Sequence, residues 1–478
     1  MKRNYLIVSL RYLRRNKEYS IVNILGLSVG VTCCLLIAMF IRSELNYDAF
    51  HSKSDNLYRI WQREIVENNT NLNVVTPLPT AEAVKSGIPE ISEACRIYNF
   101  SPVIKIDNAS FTENVDMVDP SLFSMFDFPV LAGGISNPLQ LQNAVVLTSS
   151  AAKKFFGSAD VIGKTVGISL NDTSYLFTVT AVVADVPEAS SIKFKALIPF
   201  ANAVHLFNQR AFHSWFDVFC ETYVLVKPGA KYISVESKLP QILRQNLGSD
   251  FGKEDFTMHL QNIKDIHLGT GLPAGNEPIS NPKYSYILGT IGLLLLVVAC
   301  INFITLSVSQ STKRALEVGV RKTLGASRTQ LILQFWGDAF LVVLVSIIIG
   351  ICATALLLNP FNMLVNKQLV MHFDLAFILI CFTLAILISI VSGIYPALVL
   401  SAFKPAEVLK GKMIINGEKG WFRKGLVVGQ FATSIIMIIG TIIIGQQMRY
   451  LEMKDLGYNK NQVIIVETNK PRKFGLPL

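Results

Sequence analysis

The sequence predicts a membrane protein, in which an α-helical transmembrane bundle of four spans plus a fifth carries a large mixed α+β extracytoplasmic domain. Three observations predict this class. Only 16% of the 478 residues are charged, whereas soluble domains average about 25%. Five apolar stretches reach the roughly 20 residues that cross a bilayer as a helix. A long interval of ordinary composition, residues 43–283, separates the first stretch from the second.

The five apolar stretches define the predicted spans. They are Ile21–Ile41, Ile287–Val308, Leu331–Leu358, Leu375–Leu400 and Gly425–Gly445. With their ends included, the spans are residues 20–42, 284–308, 331–358, 375–400 and 425–447. Residues 1–19 have an amphipathic pattern, which predicts a short helix on the cytoplasmic membrane surface. No small-residue cleavage site follows the first stretch, so we expect an uncleaved span rather than a signal peptide.

The charge distribution predicts the orientation of the chain. The net charge is +10, yet residues 43–283 contain 19 basic and 25 acidic residues. The basic excess lies beside the spans, in residues 1–19, the loop 309–330 and the linker 401–424. Lys and Arg in short loops mark the cytoplasmic side. The N-terminus is therefore expected in the cytoplasm, with residues 43–283, the short loop 359–374 and residues 448–478 outside. Membrane lipids explain this charge better than a nucleic-acid partner.

The extracytoplasmic interval mixes strand and helix patterns. Alternating segments such as "NLYRIWQREIV", "YLFTVTAVVADV" and "ETYVLVKPG" predict strands. "TPLPTAEAVKSG", "LTSSAAKKFFG" and "VESKLPQILRQNLG" predict helices. "GSADVIGKT" resembles a phosphate-binding loop, but five residues instead of four separate its glycines. We interpret it as a helix C-cap followed by a turn into a strand.

Few residues outside the membrane suggest chemistry. The six histidines show no metal-binding spacing, although His205 and His213 lie eight residues apart. No nucleophile motif is present, so the sequence does not predict an enzyme. Cys95 and Cys220 lie in a compartment that permits a disulfide, and whether they pair stays open.

The loop between the second and third spans, "RALEVGVRKTLGASRTQ", predicts a helical hairpin tip. Residues 313–324 are good helix formers and predict a short surface helix, and Gly325 follows at the position of a C-cap glycine. Ser327 with Gln330 forms a capping-box pattern that starts the next span. A basic loop that only sets topology is one explanation. Glu317 adds nothing to topology, and Gly319 weakens a helix by about 1 kcal/mol, so docking to a protein fits better.

These segments together resemble a known family. "RALEVGVRKTLGASRTQLILQF" is similar to the R-x-x-E-[IV]-G-x-[RK]-[KR]-x-x-GA-[ST] signature of the FtsX-like, MacB-type permeases of ABC transporters. "NILGLSVGV", "DNLYRI", "FFGSADVIGKT", "INFITLS" and "SGIYPALVLSAFKPAEVLKG" agree with that family in the same order. The resemblance covers essentially the whole chain, and it is greatest to two-module permeases common in Bacteroidota-type bacteria.

The resemblance implies a function for the loop. In this family it is a coupling helix that contacts an ATPase, so the matching residues are implied to line that contact; with the adjacent Lys313 they are Arg314, Glu317, Gly319, Arg321, Lys322, Gly325 and Ala326. The sequence has no nucleotide-binding motif and needs no cofactor of its own. Only about nineteen residues precede the first span, so we expect a separate ABC ATPase subunit that uses ATP.

Small and polar residues in the spans predict helix packing. Gly26 and Gly30 in the first span and Gly425 and Gly429 in the fifth form matching G-x-x-x-G patterns, which allow close helix approach. Asn302 is expected to bond to a neighbouring helix. "DLGYNKNQVIIV" after the fifth span echoes the residues after the first, so we expect a second module that begins at about Trp421, with the fifth span as its first span and residues 448–478 as the start of its extracytoplasmic domain. We expect that module to be truncated here, and the partner to be a second permease module or a homodimer copy.

Two further features of the spans remain open. Gly393 and Pro396 should bend the fourth span, as a hinge or as a fixed kink. Asp338 is an ionisable group within the third span, about 10 Å from its cytoplasmic end; it would be the coupling residue if the chain were a secondary transporter.

The predicted function is that of an ABC-transporter permease in the bacterial inner membrane. It would transmit the movement of the ATPase to the periplasmic domain, for efflux, for export of lipoproteins or peptides, or for envelope signalling. A periplasmic adaptor protein is a further expected partner. The alternative is a membrane-anchored interaction or scaffold protein that works without an ATPase. The sequence does not indicate the substrate.

Overall fold

A computed structural model of the chain describes residues 17–66, 69–134, 137–171, 173–247, 256–401 and 417–454. The chain divides into two compact units, one comprising Ser43–Pro282 and the other comprising the residues on either side of it up to Val463. The amphipathic helix predicted at residues 1–19 lies almost wholly outside the described residues, as do most of the cytoplasmic linker and most of residues 448–478, the predicted start of the second extracytoplasmic domain.

The ten helices of the described ranges are divided between the two units, with the five short ones in the outer unit. They are α1 (Lys17–Leu45), α2 (Thr80–Gly87), α3 (Leu122–Met125), α4 (Ser149–Phe156), α5 (Tyr232–Glu236), α6 (Leu239–Leu247), α7 (Pro282–Thr323), α8 (Arg328–Val365), α9 (Leu375–Ser401) and α10 (Gly417–Met453). Five of them, α1 and α7–α10, are long and apolar enough to cross a membrane. The five predicted spans are thus confirmed as helices.

The outer unit is built on one sheet of fourteen strands. They are β1 (Leu57–Val66), β2 (Asn69–Asn73), β3 (Thr76–Pro77), β4 (Ile91–Phe100), β5 (Val103–Ile106), β6 (Ala109–Thr112), β7 (Val115–Val118), β8 (Val130–Ala132), β9 (Ala144–Thr148), β10 (Thr165–Leu170), β11 (Thr173–Val183), β12 (Ala196–Pro199), β13 (Val218–Val226) and β14 (Phe256–Asn262). Short 3₁₀ turns lie at Ser54–Asn56, Phe200–His205, Gln209–Phe212 and Ile263–Asp265.

The strand order is β14-β1-β13-β4-β7-β12-β9-β11-β10-β5-β6, with β2 beside β1, β3 beside β13 and β8 beside β11. Most neighbours are antiparallel, but β12 runs parallel to β7 and β11 runs parallel to β9. Helices are interspersed between the strands in sequence, so the predicted mixed α+β class is confirmed.

The segments quoted above adopt the structures that their patterns predict. The three alternating segments form β1, β11 and β13, and the helical segments contain α2, α4 and α6. The "GSADVIGKT" segment is a C-cap and a turn, as expected. Gly157 ends α4 in the left-handed region at φ 70°. Gly163 turns the chain at φ 81° before β10 begins.

The two cysteines of the outer unit do not form a disulfide. Cys95 on β4 lies opposite Tyr223 on β13, whereas Cys220 lies opposite Thr76 on β3. Cys220 is three residues from Tyr223, which places it about 10 Å further along the strand. A disulfide needs Cα atoms within about 7 Å. Both thiols are free and buried.

The bundle unit has its own apolar core. Leu27, Val31 and Leu35 of α1 pack in one cluster with residues of α7, α8 and α9. Hydroxyl groups add bonds between α1 and α8: Ser28 Oγ donates to the Ser346 carbonyl at 3.1 Å, and Thr32 Oγ1 donates to the Gly350 carbonyl at 3.3 Å. These helices pack through small residues and hydroxyls, as is usual where lipid removes the hydrophobic drive between helices.

Candidate functional site

The hairpin end between α7 and α8 is the candidate site. We expected a short surface helix after the second span, and this was wrong. α7 is one continuous helix to Thr323, which extends about 22 Å beyond the predicted span end at residue 308. The segment is built of good helix formers, and nothing in it interrupts the backbone bonding of the span. The hairpin tip is therefore rigidly joined to the span.

A Schellman motif ends α7. The Ala326 N–H donates to the Arg321 carbonyl at 3.0 Å, and the Gly325 N–H donates to the Lys322 carbonyl at 3.1 Å. Gly325 adopts φ +93°, a left-handed conformation that glycine alone takes without a steric penalty. The glycine C-cap predicted from the sequence is confirmed.

A capping box starts α8 immediately afterwards. The Gln330 N–H donates to Ser327 Oγ at 3.3 Å, and the Ser327 N–H donates to Gln330 Oε1 at 3.0 Å. These reciprocal bonds satisfy two backbone donors that a helix start leaves unpaired. The capping box is therefore confirmed, and only four residues separate the two helices.

Side chains below the corner hold the two helices together. Val318 on α7 packs in a buried cluster with Leu331 and Phe335 of α8. Arg321 also donates to the side-chain oxygen of the buried Gln334. The apolar cluster and this bond fix the angle between the helices, so a force on the tip would move both.

The tip itself is apolar and basic. Leu324 is 82% exposed and Val320 is 43% exposed. Burial, and after it the positive charge of Arg328, lowers the pKa of Lys322. An exposed leucine beside clustered positive charge suits an apolar groove with an acidic rim on another protein.

The predicted coupling residues fall into three groups. Arg321, Lys322, Gly325 and Ala326 lie at the corner, as described. Gly319 is buried, so it does not present the open surface that we expected for a partner backbone. The side chains of Lys313, Arg314 and Glu317 lie outside the described residues, and their roles stay predictions.

Sequence reasoning missed Leu324 as an exposed residue. The sequence pattern predicts Leu324 only as the last residue of a helix. A leucine directly before a C-cap glycine, on a helix expected to leave the membrane, was the available signal. No further helical turn follows such a residue, so its side chain is left exposed at the end of the helix.

The predicted packing glycines of the first span lie against α7. A Cβ atom on Gly26 would be 3.3 Å from Asn302 Nδ2, and one on Gly30 would be 2.9 Å from the Cβ of Ala299. Gly425 and Gly429 have no such neighbour within 4 Å among the described residues. A packing role for these two glycines stays a prediction.

Replacing Gly30 with leucine should destabilise the bundle. The added side chain would overlap Ala299, and overpacking typically costs about 1–3 kcal/mol. Gly429→Leu is the matched control, since it makes the same change on an apolar helix with open space. SDS-induced unfolding of the purified chain, followed by circular dichroism, measures both variants. Equal stability of the two variants would contradict the close approach of α1 and α7.

The remaining predicted positions lie in α8 and α9. Gly393 lies against α8, where an added Cβ would be 3.0 Å from the Cβ of Ala339. α9 is helical through Pro396 to Ser401, and a hinge there stays a prediction. Asp338 is buried in α8. Over the described ranges, no group of three or more His, Cys, Asp or Glu is placed to hold a metal.

Two family models match the chain. The MacB-like periplasmic core domain matches residues 20–242, and the FtsX-like permease C-terminal domain matches residues 289–405. The first match contains α1 and most of the sheet. The second contains α7, the hairpin corner, α8 and α9.

Relatives that are similar in sequence are named as export ATP-binding/permease proteins. The chain is 22% identical over 399 residues to a probable syringafactin export ATP-binding/permease protein of Pseudomonas syringae, covering 82% of this chain and 56% of that protein. It is 24% identical over 272 residues to the macrolide export ATP-binding/permease protein MacB of Bdellovibrio bacteriovorus, covering 55% and 38%. The chain thus spans only about half the length of such relatives, or less.

Among solved structures, the periplasmic region of MacB from Actinobacillus actinomycetemcomitans is similar at 17% identity with a TM-score of 0.33, covering 46% of this chain and 95% of that one. The two family matches account for both units of the structure in the order in which they occur along the chain. The chain therefore belongs to the FtsX/MacB-type permeases of ABC transporters.

Proposed function

We propose that the chain transmits the movement of an ABC ATPase from the cytoplasm to its periplasmic domain. The hairpin corner at Gly325 would dock on the ATPase, and α7 would carry the movement. The observation that carries this proposal is the continuity of α7, which runs without interruption from Pro282, where the outer unit ends, to Thr323 at the tip. Forty-two helical residues form a rod about 63 Å long.

The charge distribution supports the orientation that this mechanism needs. The tip is basic, as are the other segments expected on the same side, and basic short loops stay in the cytoplasm. We infer an inner-membrane location, with the N-terminus and the tip in the cytoplasm. The names of the relatives pair ATP-binding with permease, which supports an ABC ATPase as the partner.

The composition of the tip predicts how it binds. Leu324 would enter an apolar pocket, and the positive charges of Lys322 and Arg328 would face acidic residues around it. A buried apolar anchor inside a charged rim is the usual arrangement of binding energy at an interface. Arg314 and Glu317, which match the family signature, would add charged contacts about three and two turns before Leu324 on α7.

The experiment combines the full chain in nanodiscs with ABC ATPases from the same genome, tested one at a time. We expect one of them to bind, and its ATP hydrolysis to change on binding. Leu324→Glu should weaken that binding by about 30-fold or more, since an interface anchor contributes 2 kcal/mol or more, and Arg314→Glu and Glu317→Lys should each weaken it as well.

Leu176→Glu provides the matched control. Leu176 is 72% exposed on β11 of the outer unit, so the same change adds a charge far from the tip along the chain, and it should leave binding intact. If an ATPase binds equally well to all the tip variants, the docking assignment is wrong. If no ATPase binds the intact chain, an ATPase-independent scaffold becomes the better description.

A further inference from the structure

The two chain segments that bound the outer unit are fastened to each other. Glu44 lies in the last turn of α1, and His267 lies shortly before α7. Glu44 Oε2 and His267 Nε2 are 3.2 Å apart, and their side chains are only 2% and 5% exposed. The ring of Tyr47 stacks on His267 with centroids 3.5 Å apart and planes within 4°. A buried bond and a ring stack thus join the segment that enters the outer unit at Glu44–Asp48, the incoming segment, to the segment that leaves it after His267, the outgoing segment.

Asp48 of the incoming segment is also hydrogen-bonded to the loop that contains Ala189 and Ser191. The Asp48 N–H donates to the Ala189 carbonyl at 2.9 Å, and the Ser191 N–H donates to Asp48 Oδ1 at 2.8 Å. This loop runs directly into β12, which lies between β7 and β9 in the interior of the sheet. The outgoing segment adds a bond from the Ser280 N–H to the His267 carbonyl at 2.6 Å.

Asp48 is an unusual residue in this arrangement. It is fully buried and adopts φ 56°, a left-handed conformation that Asp and Asn tolerate better than other non-glycine residues. Its Oδ2 atom is buried and has no hydrogen-bond partner among the residues that the structure describes. A buried carboxylate oxygen without a donor is costly, and a proton on that oxygen would remove the charge.

We propose that Glu44, Tyr47, Asp48, Ser191 and His267 form a protonation-sensitive clasp, which closes more firmly as the medium outside the membrane becomes acidic. The clasp would set how rigidly the incoming and outgoing segments are held to the sheet. The inference concerns contacts within the outer unit and is independent of the proposed ATPase contact.

The charges around the clasp give the direction of the effect. The groups that face Asp48 are Tyr47 on its own turn, His267 on the outgoing segment and Tyr223 on β13. Glu44, Glu188 and Glu277 surround Tyr47, and Lys193 lies between Glu188 and Glu277. Burial raises the pKa of Glu277, and it raises the pKa of Asp48 from 3.8 to about 6, against the bonds from Ser191 and the charge of His267.

The sign follows from proton linkage. When the clasp opens, Asp48 meets water and regains an ordinary pKa, so the closed state binds the proton more tightly. The closed state is therefore favoured at low pH, and this advantage is lost as the pH rises through about 6. From these two pKa values, closing should be favoured about tenfold more at about pH 5 than at about pH 7.5.

Hydrogen exchange of the full chain in nanodiscs tests the clasp. The reporter amides are those of Asp48, Ser191 and Ser280. After correction for intrinsic rates, they should exchange about tenfold more slowly at the lower pH. Asp48→Asn imitates the protonated acid and tolerates the same backbone conformation, so it should show slow exchange at both pH values.

Two further variants make the outcome decisive. Glu93→Gln alters an exposed ion pair of the same unit and should keep the wild-type pH response. His267→Ala should speed exchange of the reporter amides at both pH values, while amides in β9 and β12 stay unchanged and report an intact sheet. A pH response that survives Asp48→Asn, or its absence in the wild type, would overturn the proposal.

Discussion

Replacing Arg59 with methionine is expected to destabilise the outer unit by about 3–5 kcal/mol, since it leaves a buried carboxylate without its cation. Arg59 Nη1 lies 3.3 Å from Glu221 Oε1, and each side chain is only 2% exposed. Gln261 Oε1 accepts a further bond from Arg59 Nη2 at 2.8 Å. Methionine fills similar space but supplies no charge and no donor.

Among the described residues, Glu221 would then keep two hydrogen-bond donors. Tyr223 OH donates to its Oε2 at 2.6 Å, and the Asn276 N–H donates to its Oε1 at 2.8 Å. Gly275 packs directly against this carboxylate, because a Cβ atom added at Gly275 would lie 1.8 Å from Glu221 Oε1. The carboxylate therefore cannot turn toward water without lifting the segment that leads into α7.

Hydrogen exchange of β1 and β13 amides in the full chain measures this loss, which corresponds to a fall in protection of about two to three and a half orders of magnitude. The double variant Arg59→Met, Glu221→Gln should recover part of it, since no buried charge remains. Lys85→Met is the matched control: Lys85 pairs with Glu93 in an exposed ion pair that should contribute at most about 1 kcal/mol. Equal losses in the two single variants would contradict this account.

Sequence periodicity and turn chemistry predicted much of the architecture. Hydrophobic length identified the five spans, because a bilayer imposes a minimum helix length. Glycine at 325 and the Ser327–Gln330 pair predicted the hairpin corner, because both act through local backbone bonds. These features depend on residues that are close in sequence, so they can be read without knowing the fold.

Contacts between residues that are far apart in sequence could not be predicted from local patterns. The Arg59–Glu221 pair joins positions 162 residues apart, and the bond between Glu44 and His267 spans 223 residues. The first pair depends on the order of strands in the sheet, since β1 lies beside β13. The continuity of α7 was missed for another reason: a change from apolar to basic side chains marks the membrane surface but does not end a helix.

Replacing Gly325 with valine is expected to weaken ATPase docking by about 5–30-fold. A side chain in the left-handed region costs roughly 1–2 kcal/mol, and a β-branched residue is among the least tolerant there. The equilibrium constant for forming the corner would fall by the same factor, and since only the formed corner docks, the apparent affinity falls by up to that factor. Because no atom of the described residues lies within 4 Å of an added Cβ at Gly325, the loss would come from the backbone conformation.

Gly337→Val is the control that isolates this cause. Gly337 also has open space around an added Cβ, but it lies within α8 without a positive φ, so valine there should leave docking unchanged. ATPase binding to the chain in nanodiscs is measured for both variants. The loss of affinity in Leu324→Glu shows how much binding falls when the anchor side chain is removed. If Gly325→Val binds as well as Gly337→Val, then the corner does not need its left-handed turn to be recognised. Docking would then depend on the side chains of the tip and not on the angle at which the two helices hold them.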